Sequence, residues 1–212
     1  MKIGLVGLPK SGKTTLFNAV TGSEALVSAY ASGKTEPNIA TVKVLDERIT
    51  RLSELYKPKK TIYASVEFVD FVGVARENES SEVFSPEMLR LIKTADALAL
   101  IVRNFDSELE GAPSSINDLH ALSDELILSD LIIAERRLER IAAGYKKGQK
   151  TDTLVGEEKA LQKIVEQLNA SKPVRDLVLS AEENLAIKGF QFLTQKPIVV
   201  VVNSDEARFG KN

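Results

Sequence analysis

Eight consecutive residues near the amino terminus, Gly7-Leu8-Pro9-Lys10-Ser11-Gly12-Lys13-Thr14, satisfy the spacing G-x-x-x-x-G-K-[ST]. The chemistry this spacing serves is the grip on a polyphosphate. Glycines let successive backbone N–H groups turn inward around the phosphates, and the amino terminus of the following helix adds partial positive charge. Lys13 is then the side chain expected to reach the β and γ phosphates, and the Thr14 hydroxyl the one expected to ligate Mg²⁺. Gly7 through Thr15 are the candidate contacts to the nucleotide. The alternative is a turn that merely resembles such a loop. Its context argues against that, because the loop follows a short apolar run and opens a helical one.

Two further clusters suit the same chemistry. Asp70-Phe71-Val72-Gly73 ends an apolar strand with a carboxylate. Asp70 there would face the metal, directly or through water, and the Gly73 N–H would face the γ phosphate. Asn203-Ser204-Asp205-Glu206 follows the last strand, where guanine-specific enzymes carry N-K-x-D. Asn203 and Glu206 are candidate base contacts, but serine replaces the lysine and glutamate the aspartate. Guanine selectivity is therefore expected to be weak, since a missing partner lowers discrimination.

The elements that must hold these residues read as alternating strands and helices. Ile3 to Val6, Ser65 to Asp70, Ala97 to Val102 and Pro197 to Asn203 are aliphatic or β-branched runs of the kind that form buried parallel strands. Val42 to Leu45 is a less apolar run, nearer an edge. Helical patterning at Thr14 to Thr21, Asp46 to Leu55 and Pro86 to Thr94 falls between them, which gives an α/β sheet with crossover connections. From Ser115 to Thr194 the texture becomes long, charged and helical. Leu119, Leu122, Leu126, Leu131, Ala134, Leu138 and Ile141 share one face, and Gly144 with the polar Lys146 to Asp152 breaks the pattern. A second helix follows from about Glu157 to Asn169. The pair reads either as an antiparallel helical hairpin, coiled-coil-like, or as two ordinary packing helices.

Composition sets the outer limits. With 212 residues, 43% apolar and 27% charged, the chain has the make-up of a folded globular protein. A net charge of -2 advertises neither a nucleic-acid nor a membrane surface, and the absence of cysteine excludes disulfides and thiolate metal sites. No apolar stretch approaches a membrane span. A cytoplasmic protein with no membrane or DNA partner is expected. His120, the only histidine, has no catalytic arrangement around it in sequence and reads as a packing or surface residue.

Taken together, the segments GLPKSGKTTLFNAVTG, TEPNIATVKVLDERITRLSELYKPKK, EFVDFVG, DALALIVRNF, INDLHALSDELILSDLIIAERRLERI and IKGFQFLTQKPIVVVVNSDE resemble the Obg-like ATPase family, the YchF-type P-loop proteins. The likeness spans nearly the whole chain. It implies a Ras-like G domain over 1–114 and 194–212, with a helical insertion over 115–193. It further implies binding and slow, Mg²⁺-dependent hydrolysis of ATP, GTP or both, and association with the ribosome. A small TGS domain normally follows in the family. The chain is expected to stop before the last strand and helix of the G domain and its base-contacting loop.

Several positions depart from the family. Lys10 stands where relatives carry an asparagine that helps hold K⁺ against the phosphates. Its ammonium either substitutes for that ion, joining Lys13 and Gly73 in the catalytic set, or is simply solvated. The switch motif appears as Lys34-Thr35-Glu36-Pro37-Asn38, with the threonine displaced by one, so Thr35 is the candidate second Mg²⁺ ligand. Val74, by contrast, keeps the hydrophobic residue that the family shares where Ras-like enzymes carry the water-orienting glutamine, which implies slow intrinsic turnover. The basic clusters Lys57 to Lys60 and Lys146 to Lys150 either touch ribosomal RNA phosphates or are solvated. A non-hydrolysing nucleotide-binding module is the alternative to a hydrolase. A small-molecule kinase shares the loop, but no substrate-binding arginine cluster suggests one.

Overall fold

A computed structural model of the chain describes residues 1–23, 37–71, 83–107 and 111–210. The expectations placed on Thr35, Gly73 and Val74 lie outside the described residues. Among the described residues five strands form one sheet: β1 (Lys2–Gly7), β2 (Asn38–Lys43), β3 (Ser65–Asp70), β4 (Ala97–Asn104) and β5 (Ile198–Ser204), in the spatial order β2-β3-β1-β4-β5. Only β2 runs antiparallel, paired with β3 from Asn38↔Asp70 to Lys43↔Ser65. The other neighbours are parallel.

Side-chain alternation along the strands sorts the apolar residues into two layers. Val6, Leu98, Leu100 and Val102 face one side, where α3 (Pro86–Lys93) and the start of α4 (Ser115–Lys146) supply Met88, Ile92, Leu122 and Leu126. Leu5, Ala99 and Ile101 face the other side, against Phe17 of α1 (Lys13–Thr21). The central strands β1 and β4 are thus covered by helices on both faces, as buried parallel strands require. Gly4 has no room for a side chain, since a Cβ there would come within 2.8 Å of the Phe71 ring.

A second core forms where the carboxyl-terminal half of α4 packs against α5 (Asp152–Asn169), α6 (Ala181–Ile187) and Phe192. Arg137 donates to both Glu157 oxygens, at 2.6 and 2.9 Å, and sets the register of α4 against α5. The helical pair is therefore present. Leu122 and Leu126 belong to the sheet core, however, whereas Ala134 and Ile141 belong to the second. The helix assigned by patterning wholly to an insertion is shared between two cores, which meet within it.

The structure differs from the sequence reading at two helix boundaries, in the span of β2, which is Asn38–Lys43 rather than Val42 to Leu45, and in the burial of β5. Gly144 does not break α4, which continues to Lys146. One helical glycine costs only about 1 kcal/mol, less than the packing it would forfeit. α5 begins at Asp152, because the Thr151 hydroxyl accepts from the Leu154 N–H at 3.3 Å and caps it. β5 is parallel as expected but not enclosed. It lies at the sheet edge with Val199, Val200 and Val202 exposed. Beside it, between α1 and the strand ends, runs an apolar groove of about 260 Å³ lined by Ile3, Leu16, Phe68 and Val201 among others.

Candidate phosphate site

The turn from β1 into α1 is shaped by close packing. A Cβ on Gly7 would come within 2.5 Å of the Ile101 carbonyl, so a larger residue cannot sit there without moving β4. Gly12 is the residue before the helix and has φ +92°, a left-handed conformation that glycine adopts freely. A Cβ on it would lie 2.1 Å from Nδ2 of Asn203. Lys10, exposed at the crown, also has a positive φ of 58°. In a residue with a side chain that conformation is uncommon and marks a constrained loop. No side chain caps α1, and its first turn holds no acidic residue, so its amino-terminal N–H groups and partial positive charge stay available to an anion.

Three predicted residues converge on this turn. The Lys13 ammonium donates to the carbonyls of Gly7 at 3.0 Å and Leu8 at 2.8 Å, folding back across the loop. Burial lowers its pKa from 10.5 to about 8, and the negative charge of Asp70 offsets part of that effect. The Thr14 hydroxyl donates to Oδ2 of Asp70 at 2.8 Å, with both side chains buried. The metal candidates from sequence positions 56 residues apart are therefore in direct contact. Among the described residues the buried Ser11 hydroxyl has no hydrogen-bond partner. A hydroxyl and a carboxylate are hard oxygen donors, and two such groups beside a phosphate cradle fit Mg²⁺, which keeps most of its waters.

The base-reading candidates separate. Asn203 donates through Nδ2 to the Ser11 carbonyl at 3.0 Å and so buttresses the phosphate loop. Glu206 is exposed on the turn that follows β5. Its neighbour Asp205 caps that turn by accepting from the Arg208 N–H at 2.8 Å. Thr15 and Pro9 are exposed, and Leu8 is half-buried. Among the described residues no cluster of three or more acidic or histidine side chains could hold a metal elsewhere. No described helix is long and apolar enough to cross a membrane.

Sequence reasoning missed two polar anchors of the fold, one at the exit of β4 and one at the entry of β5. Arg103, buried at the end of β4, donates to the carbonyls of Phe105, Gly111 and Ala112 and holds the chain that leads into α4. Asp130, fully buried on α4, accepts from the N–H groups of Leu193 and Thr194 and from the Thr194 hydroxyl, at 2.7 to 2.8 Å. The signal for Asp130 was available. It lies four residues after Leu126 and four before Ala134, a carboxylate within the apolar stripe itself.

A parallel sheet opening on a G-x-x-x-x-G-K-T turn, with an aspartate at the end of the adjacent strand, defines a P-loop nucleoside-triphosphatase fold of the Ras-like type. The chain belongs to the 50S ribosome-binding GTPase family, which matches residues 2–136. It is 35% identical to the ribosome-binding ATPase YchF of Bacillus subtilis, over 96% of this chain and 56% of that protein. Against the protein of the same name from Escherichia coli O157:H7 it is 34% identical, over 100% of this chain and 59% of the relative. The solved structure of the Schizosaccharomyces pombe YchF GTPase aligns with a TM-score of 0.78 at 30% identity, covering 99% of this chain and 58% of that one. The YchF-type resemblance thus holds over essentially the whole sequence given. The chain itself spans little more than half the length of these relatives.

Proposed function

We propose that this chain is the nucleotide-binding part of a switch that binds ATP or GTP with Mg²⁺ and hydrolyses it slowly in the cytoplasm, in association with the ribosome. The observation that carries the proposal is the meeting of Lys13, Thr14 and Asp70 at one strand-to-helix turn. In this reading the ammonium of Lys13 turns from the loop carbonyls to the β and γ phosphates, and loop amides hold the remaining oxygens. Thr14 and Asp70 would hold Mg²⁺, with Thr35 as a second ligand, and the ion would offset charge on the β and γ oxygens. Gly73 would offer its N–H to the γ phosphate. Catalysis would then be positioning and electrostatics, without a glutamine to orient water. The relatives' names pair ribosome binding with an ATPase, and the exposed Glu206 favours a site that discriminates weakly between bases.

The test is phosphate release from ATP and from GTP, each titrated separately with Mg²⁺, by the chain and by Lys13→Ala. Turnover and tight binding that vanish in the variant support the proposal, and comparable affinities for the two nucleotides support weak base selection. Binding without release above the Lys13→Ala control would reassign the chain as a regulatory binding module. Lys10 is proposed to act as a charge in cis in place of K⁺. Turnover indifferent to potassium, and lost in Lys10→Asn, is the expected outcome. Strong potassium dependence of the unaltered chain would sink that part alone.

A further inference from the structure

Between β2 and β3 the chain leaves the sheet and builds an arm from α2 (Glu47–Tyr56) and the return segment 57–64. Not one residue from 43 to 65 is buried. α2 is nonetheless amphipathic: Ile49, Leu52 and Tyr56 recur at the spacing that places them on one face, and Glu47 and Glu54 fall on the opposite side. Leu52, Leu55, Tyr56 and Ile62 are 55, 71, 74 and 71% exposed. Isolated helices below about twelve residues are marginal in water, and most helical stability in proteins comes from covering an apolar face. Here the face is uncovered.

The arm is nevertheless preformed. Asp46 caps α2 by accepting from the Arg48 N–H at 2.9 Å. The Thr50 and Tyr63 hydroxyls pair at 2.9 Å, and Ser53 pairs with Thr61, tying the return segment to the helix. Between them lies an apolar groove of about 300 Å³ whose lining includes Ile49, Leu52, Tyr56, Pro58 and Ile62. Its surroundings are cationic. The stretch 43–63 holds six lysines and arginines against three carboxylates, in a chain whose net charge is -2. Among the described residues, Arg51, Lys57, Lys59 and Lys60 are exposed and paired with no carboxylate.

We infer that this arm is a docking surface for a partner protein, and that the segment it receives is a helix with an aliphatic face flanked by glutamate or aspartate. The aliphatic floor takes the partner's apolar side chains, and the cationic rim selects and steers its acidic flanks. A preformed groove also lowers the ordering cost of binding. Nucleic acid would use the cations but not the floor. A base-stacking platform needs several rings, and Tyr56 is the only one lining the groove. The arm stands at the Lys43↔Ser65 end of the β2–β3 ladder, about 17 Å along the strands from Asp70, so a docked helix leaves the phosphate turn accessible.

The test is fluorescence anisotropy with synthetic helical peptides of about four turns. One set carries a leucine face flanked by glutamates, and a second the same leucines flanked by lysines. A single-stranded oligouridine is the third probe. The acidic peptides are expected to bind, and the lysine set to bind at least about tenfold more weakly. Leu52→Asp, and separately Lys59→Glu with Lys60→Glu, should each cost about tenfold or more for the acidic set. Binding should slow amide exchange across residues 47–56. Nucleotide affinity should stay unchanged, which certifies the fold of each variant. The inference is overturned if the acidic peptides fail to bind, or if Leu52→Asp leaves their binding intact. Oligouridine binding that the lysine reversals abolish and Leu52→Asp does not would give the surface to RNA. Self-association of the unaltered chain that Leu52→Asp removes would give it to a second copy.

Discussion

Lys13 makes the folded chain's stability depend on pH in a direction that can be worked out in advance. Its ammonium is enclosed against the carbonyls of Gly7 and Leu8, and desolvation lowers its pKa from 10.5 to about 8. Between those two values the folded state has released a proton that the unfolded chain still holds. Stability must then rise with pH, by about 1.4 kcal/mol per unit across the window, up to a total of about 3 kcal/mol. Below pH 8 both states hold the proton, and the penalty for enclosing the charge is felt in full.

The perturbation is Lys13→Met, which keeps most of the side chain's bulk without its charge. Urea unfolding of both proteins at about four pH values spanning the window gives the difference in unfolding free energy. That difference should climb in favour of the unaltered chain above pH 8. Burial also lowers the pKa of Lys196, but it is present in both proteins and cancels. Parallel stability curves would refute the reasoning, since they would mean that Lys13 titrates alike in both states. A bound triphosphate should stabilise the ammonium and raise its pKa. Affinity should therefore weaken by up to about tenfold per pH unit above 8, measured by titration calorimetry.

Gly12→Ala should cost about 2 to 3 kcal/mol in urea unfolding: about 1 to 2 for the left-handed backbone and about 1 for the Asn203–Ser11 hydrogen bond it displaces. In an Asn203→Ala background only the backbone share should remain, a coupling of about 1 kcal/mol in a double-mutant cycle, and strict additivity would refute the clash. Asp130→Ala leaves three buried donors without their acceptor and should cost at least about 3 kcal/mol, with Asp130→Asn recovering part of it. Because burial raises the Asp130 pKa, its ionisation opposes folding. Stability should fall as pH rises from 3.8 through that raised value, a trend Asp130→Ala should lack.

The parts of this fold that could be read directly were those in which residue type and geometry are linked by sterics. The phosphate turn needs glycine at Gly12 because φ is +92°, and β4 needs an unbroken apolar run because helices cover both its faces. Ser65–Asp70 could be placed to the residue because its carboxylate closes an apolar strand. What escaped the reading depends on neighbours distant in sequence. The Val199 to Val202 run has the composition of a central strand, yet its burial is decided by which elements lie beside it. The start of β2 at Asn38 is set by pairing with Asp70, 32 positions later, and nothing in Asn38-Ile39-Ala40 alone announces it. Asn203 was found through its motif as a candidate base contact, and nothing in that motif announces that its amide also reaches the Ser11 carbonyl.

β5 joins these observations into one mechanical unit. At its entry the 3-10 turn Leu193–Gln195 is held by Asp130 of α4, the helix shared by both cores. At its exit Asn203 is held to the phosphate loop at Ser11. Between the two clasps the strand is locked in register with β4 from Ile198 to Ser204. The edge strand that buries little apolar surface of its own is therefore the element through which the second core and the phosphate turn share one frame. Its side chains could vary among β-branched residues without changing that frame, whereas the two clasps could not.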